Sequence, residues 1–74
     1  MGLFAKGEYV LTNAGAEKAS TMDDANYYKI IVLLAIRHLA SAKESKITKH
    51  TNLDASIVSE TISQLKAQGY IAKV

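Results

Sequence analysis

Apolar and polar residues keep two rhythms along this chain of 74 residues. The stretch "LDASIVSETISQLKAQGYI", from Leu53 to Ile71, keeps the slower one. Val58, Ile62 and Leu65 fall at i, i+4 and i+7, which places them on one face of a helix. The pattern predicts a helix over 54–68, with Val58, Ile62 and Leu65 in the core. Gly69 follows, and glycine just past a helix end adopts the left-handed conformation without a Cβ clash. "YIAKV" then alternates with the period of a strand.

The longest helical pattern lies in "TMDDANYYKIIVLLAIRHLASAK" and predicts a helix over about 24–41. Asp23 and Asp24 are suited to its N-terminal end, where carboxylates meet unpaired backbone N–H groups and the positive end of the dipole. Arg37 and His38 suit the other end. Tyr27, Ile31, Leu34 and His38 share one face. Tyr28, Val32, Ile36 and Leu39 share another, with Ile30 and Leu33 beside them. A helix apolar around much of its girth is covered on more than one side. A second chain or the N-terminal segment could supply that cover, and the apolar excess favours a second chain.

Phe4 to Thr12 reads as a strand, since Tyr9, Val10, Leu11 and Thr12 favour extended backbone. "TNAG", Thr12 to Gly15, reads as a turn, and "AEKAS", 16–20, as a short helix. Further on, Ser45 is placed to cap a short helix over 46–51. No repeat or low-complexity segment interrupts the chain.

Five positions from this short helix onward form a spaced set: Ile47, Thr48, Asn52, Leu53 and Val58. Ile47 and Val58 are the apolar residues that would lock two helices together. Thr48 is the small residue at their closest approach. Asn52 stands where a tight turn needs positive φ, which glycine supplies best and asparagine next best. Leu53 would plug the corner. This set, followed by Leu65, Gly69, Tyr70 and Ile71, resembles the winged helix-turn-helix of MarR-like regulators over about residues 24–74. The sequence departs from the family pattern at Thr48, where alanine is usual, and at Asn52, where glycine is usual. "EYVLTNAGAEKA" also resembles the segment that follows the wing in such regulators, yet here it precedes the first long helix. Glu8 to Thr12 is therefore expected to pair with Tyr70 to Val74, leaving no long wing loop. The alternative is pairing with a partner chain.

The expected fold is mainly α with a small β-sheet. It is a winged helix-turn-helix of three core helices plus a two- or three-stranded sheet joining the N- and C-terminal strands. The expected organisation is one domain over 1–74, with a strand-and-turn extension over 1–22 and the helix-turn-helix core over 23–74.

Composition narrows the function. Cysteine is absent, so disulfides and cysteine-based zinc sites are not available. No apolar run approaches the roughly 18 residues of a membrane span, and the N-terminus has too short an apolar section for a secretory signal. A cytoplasmic protein without a membrane partner is expected. His38 and His50 are the only histidines. His38 is read as packing against or capping the first long helix, and His50 as facing solvent. Neither joins an acid, base or nucleophile constellation, and the glycines are too scattered for a phosphate loop. No enzyme activity, metal site or cofactor is expected. Net charge is +2, all of it carried by residues 43–74, which is compatible with nucleic acid.

In helix-turn-helix complexes the early residues of the second helix reach base edges in the major groove. The resemblance places Ser56, Ile57, Ser59, Glu60 and Ser63 there, with Ala55 beside them. It places Lys46, Thr48 and Lys49 on phosphate, with Lys66 and Lys73 flanking the other end. Lys43 and His50 lie close by. Glu60 is the departure that matters, because a carboxylate accepts from cytosine but repels phosphate. The implied function is sequence-specific binding of double-stranded DNA by a homodimer joined through the first long helix, acting as a transcriptional repressor. The alternative is a winged-helix module, from a phage or plasmid, that binds a protein partner and not DNA. A continuous positive face around Ser56 and Ser59 would favour DNA; an acidic or apolar face would favour protein.

Overall fold

The computed structural model describes residues 7–74, so the first residues of the expected strand, Phe4 to Lys6, lie outside the described residues. The element order is β1 (Glu8–Leu11), α1 (Asn13–Thr21), α2 (Tyr27–Leu39), β2 (Ala42–Lys43), α3 (Glu44–Thr51), α4 (Ala55–Ala67) and β3 (Ile71–Lys73). The fold is mainly helical with one small antiparallel sheet of order β2-β1-β3.

The two ends of the described chain build the sheet together, as the sequence leads one to expect. β1 pairs with β3 through Tyr9–Lys73, Val10–Ala72 and Leu11–Ile71. Its other edge pairs with β2 through Glu8–Lys43 and Tyr9–Ala42. β1 and β3 are therefore not joined by a hairpin, and no wing loop projects between them. The strand pattern did not point to β2, because two residues are too short to show a period.

Three helix starts differ from expectation. Thr12 to Gly15 is not a free turn. Thr12 is the N-cap of α1, its hydroxyl oxygen accepting from the Gly15 N–H at 3.0 Å, and the helix runs from Asn13 to Thr21, beyond the expected 16–20. α2 starts at Tyr27, and neither Asp23 nor Asp24 is its cap. Asn26 is, its Oδ1 accepting from the Tyr28 N–H at 3.0 Å. Asp24 instead accepts from the Asn26 N–H at 2.8 Å and lies 3.6 Å from the Lys18 ammonium. That backbone hydrogen bond, helped by Lys29 and Lys18, holds the Asp24 carboxyl below its ordinary pKa. α3 starts at Glu44, with Ser45 already inside its first turn; Lys43 is the N-cap and supplies no side-chain bond.

The core forms where α2, α3 and α4 meet. Val32, Leu33 and Ile36 of α2, Ile47 of α3 and Val58 and Leu65 of α4 are fully buried. Ile62 is buried as expected, and half-buried Leu53 packs against the cluster from the corner between α3 and α4. α1 and β1 both pack on α2, so the N-terminal segment supplies part of the cover that the apolar girth demands. α4 ends in a Schellman motif. The Tyr70 N–H donates to the Leu65 carbonyl at 3.0 Å and the Gly69 N–H to the Lys66 carbonyl at 3.1 Å, with Gly69 at φ +81°.

Ala40, just after α2, holds φ 70° and ψ −51°. This is the strained γ-turn region that side chains with a Cβ avoid. Ala40→Gly should remove about 1–3 kcal/mol of strain, offset by about 0.4–1 kcal/mol of added unfolded-state entropy. A net stabilisation of about 1 kcal/mol is expected. Thermal unfolding should then show a rise in Tm of roughly 4–8 °C.

Candidate nucleic-acid interface

The pair α3 and α4 is joined by a short turn in which Asn52 takes φ 61° and ψ 27°. Its N–H donates to the Thr48 carbonyl at 2.9 Å, which ends α3. Thr51 secures the same corner, donating its hydroxyl to the Ile47 carbonyl at 2.8 Å. The polar residues of this turn thus satisfy backbone groups, and Leu53 turns inward. α4 is then presented with its Val58–Ile62–Leu65 face buried and the opposite side in water.

On that wet side Ser56, Ser59 and Ser63 are exposed at i, i+3 and i+7, with Glu60 and Lys66 exposed beside them. Ala55 is exposed at the start. Ile57 is half-buried, and its carbonyl accepts from buried Thr61 at 2.7 Å. α4 therefore offers small hydroxyl side chains along one line, with the bulky apolar groups withdrawn. That relief suits close approach to an edge rich in donors and acceptors.

The basic residues are distributed less simply. One flank of α3 faces α4. There Glu44 shares a groove with Tyr9, Ser59, Ser63 and Lys66. Lys73 reaches the same neighbourhood, its ammonium 6.0 Å from the Tyr9 ring centre. The other flank of α3 faces α2, and there Lys46, Lys49 and His50 share a groove with Leu39 and Ser45. The serine line is thus bordered by Asp54, Glu44 and Glu60 as well as by Lys66 and Lys73. A continuous positive face does not surround Ser56 and Ser59. Thr48, expected on phosphate, is half-buried and donates its hydroxyl to the Glu44 carbonyl at 2.9 Å. A phosphate bond from that hydroxyl requires this bond to be given up.

A gathering of positive groups spans α2 and α3. His38 and His50 stack, with ring centres 5.2 Å apart and planes at 28°. Arg37 lies beside them on one side and Lys46 and Lys49 on the other, and no carboxylate lines either groove. Sequence reasoning placed the two histidines separately, because their contact is tertiary. The available signal was that Arg37 and His38, and likewise Lys49 and His50, occupy the last turns of their helices. Cations are favoured at such ends, each equivalent to roughly −0.5 charge. Three formal cations exceed what two helix ends offset, so the cluster retains a net positive charge.

Among the described residues, no group of three or more His, Asp or Glu side chains gathers as a metal site. No buried side-chain nitrogen or oxygen among them lacks a hydrogen-bond partner. No helix of the described residues is long and apolar enough to cross a membrane. The chain matches no protein-family model, no curated protein and no solved structure.

Proposed function

We propose that the chain is a winged helix-turn-helix protein of the cytoplasm that binds double-stranded DNA and represses transcription. In this reading α4 lies in the major groove and α3 rests on the backbone. The observation that carries it is the exposed serine line of α4, held by the left-handed Asn52 turn beside a helix bearing Lys46 and Lys49. Ser56, Ser59 and Ser63 donate to or accept from base edges, and Glu60 accepts from a cytosine amino group. Lys46, Lys49, Lys66 and Lys73 neutralise phosphate, which fixes register without reading sequence.

A second reading is favoured by Asp54, Glu44 and Glu60 around the same line. A mixed-charge face suits a protein partner better than a polyanion. Fluorescence anisotropy of a labelled mixed-sequence duplex, titrated at several salt concentrations, separates the two. With about four phosphates neutralised, log K should fall with log salt at a slope of about −3.6. Replacing Lys46 and Lys49 with alanine should make that slope shallower by roughly 2. Absence of binding even at low salt would sink the DNA reading and leave the protein module.

A further inference from the structure

Two grooves on the α2–α3 side of the molecule meet at His50, on the flank of α3 that faces away from the serine line. Ile31, Leu34 and Ala35 line the first, together with Arg37 and His38. Leu39 lines the second, together with Lys46 and Lys49. Ile31, Leu34 and Leu39 are half-buried, whereas Arg37, Lys46, Lys49 and both histidines are exposed. His50, stacked on His38, stands where the grooves join. An apolar strip of α2 therefore runs beside the cations Arg37, Lys46 and Lys49, and no carboxylate lines either groove. Cations next to uncovered apolar side chains, with no acid to balance them, are the complement of an acidic and apolar ligand.

We propose that this double groove docks an acidic amphipathic helix of a different protein. The apolar side chains of that helix cover Ile31, Leu34 and Leu39, and its carboxylates pair with Arg37, Lys46 and Lys49. Other occupants match only half of the surface. A small anion meets the charges, but grooves this open leave it wet, whereas ligand pockets bury about 70–90% of a drug-sized molecule. A nucleic-acid backbone also meets the charges and brings no apolar side chain to the strip. A second copy docked by the same face carries the same cations into the contact, and like charges across an interface are costly. An acidic helix supplies both halves, and an amphipathic helix laid in an apolar groove is a recurrent mode of recognition. The strip from Ile31 to Leu39 is about 12 Å long, which two to three helical turns cover. Such a contact belongs to the small, transient class of interfaces, so an isolated segment should bind with a dissociation constant on the order of 50 µM. The inference does not rest on duplex binding, because Arg37 has no part in that reading and the contact is measured without DNA.

Fluorescence anisotropy of three labelled probe peptides, titrated with the full chain from about 1 µM to about 500 µM, tests it, since that range brackets the expected constant. The first probe is a helix-forming peptide of about 12 residues with leucine at i, i+3, i+4 and i+7 and glutamate elsewhere. The second has the same composition scrambled, so that the leucines share no face. The third is oligoglutamate of the same charge. The first should bind, and the other two should bind at least roughly tenfold more weakly. Arg37→Glu should weaken the first probe by roughly tenfold with an unchanged circular dichroism spectrum, because Arg37 is exposed. The same variant should leave the salt slope of duplex binding as it was, which separates failure here from failure of the DNA reading. Three probes that bind equally well overturn the proposal and leave a patch for any polyanion. No binding at the highest concentration overturns it too, as does tight binding of the first probe that ignores Arg37→Glu. A chain that self-associates across this range, with the first probe unable to compete, assigns the grooves to a second copy and overturns it as well.

Discussion

Gly15→Ala should cost about 3 kcal/mol of folding stability, a large loss for the addition of one methyl group. Gly15 is buried in the first turn of α1, where the helix crosses the backbone that leads from α4 into β3. A Cβ at Gly15 would land on the Tyr70 carbonyl oxygen, and the neighbouring contacts are also Tyr70 backbone. Backbone cannot swing aside as a side chain can. The crossing is moreover fixed from Thr12. Its N–H donates to the Tyr70 carbonyl at 3.1 Å, and its hydroxyl donates to the Gly69 carbonyl at 2.6 Å while accepting from Gly15. Overpacking a fixed contact costs about 1–3 kcal/mol and occasionally more. A chain of this length has roughly 4–11 kcal/mol in total at the usual stability per residue. The expected Tm drop is about 12–24 °C. A thermal melt within about 2 °C of the wild type would show that α1 can lift off the α4–β3 corner without cost.

Leu65→Ala should cost about 3 kcal/mol by a different route. Leu65 is fully buried at the end of α4, and its carbonyl closes the Schellman motif with Tyr70. Truncation leaves the backbone bond intact and removes the side chain that ties α4 to the core. Leucine-to-alanine changes in cores cost about 2–5 kcal/mol, the spread reflecting how far the cavity collapses. Urea unfolding should show a lower midpoint with an unchanged slope. Ser63→Ala, two residues away on the wet face, should stay within about 0.5 kcal/mol. If both variants behaved alike, the division of α4 into a buried and a presented face would be wrong.

That division was legible in the sequence. Val58, Ile62 and Leu65 follow the helical period without interruption, and Gly69 marks the end with a residue suited to positive φ. The left-handed turn at Asn52 was legible for the same reason, since few side chains tolerate that backbone. The pairing of β1 with β3 followed from β-favouring residues at Tyr9–Leu11 and Tyr70–Ile71.

What escaped was set by tertiary geometry or by competition among similar residues. Asp23, Asp24 and Asn26 all have side chains able to cap α2, and only the path of the chain after α1 selects Asn26. β2 is too short to carry a period. The role of Gly15 depends on Tyr70, which is distant in sequence, so "TNAG" looked like an isolated turn. The His38–His50 stack exists because α2 and α3 meet at those turns. For the candidate interface, the identities of the exposed α4 residues could be read in advance. The flank of α3 on which each charge lies could not. Glu44 faces α4 while Lys46 and Lys49 face the α2 side, and that placement weakens the electrostatic case for DNA without altering the serine line.

The central claim is that α4 presents its serine line to the major groove. Backbone amide chemical shifts of the labelled chain, followed by NMR as a mixed-sequence duplex is added at low salt, test it most directly. The account predicts shifts concentrated at residues 55–63 and at Lys46 and Lys49, with the buried side of α2 unmoved. A spectrum unchanged by excess duplex, or shifts confined to surfaces away from α4, would contradict it.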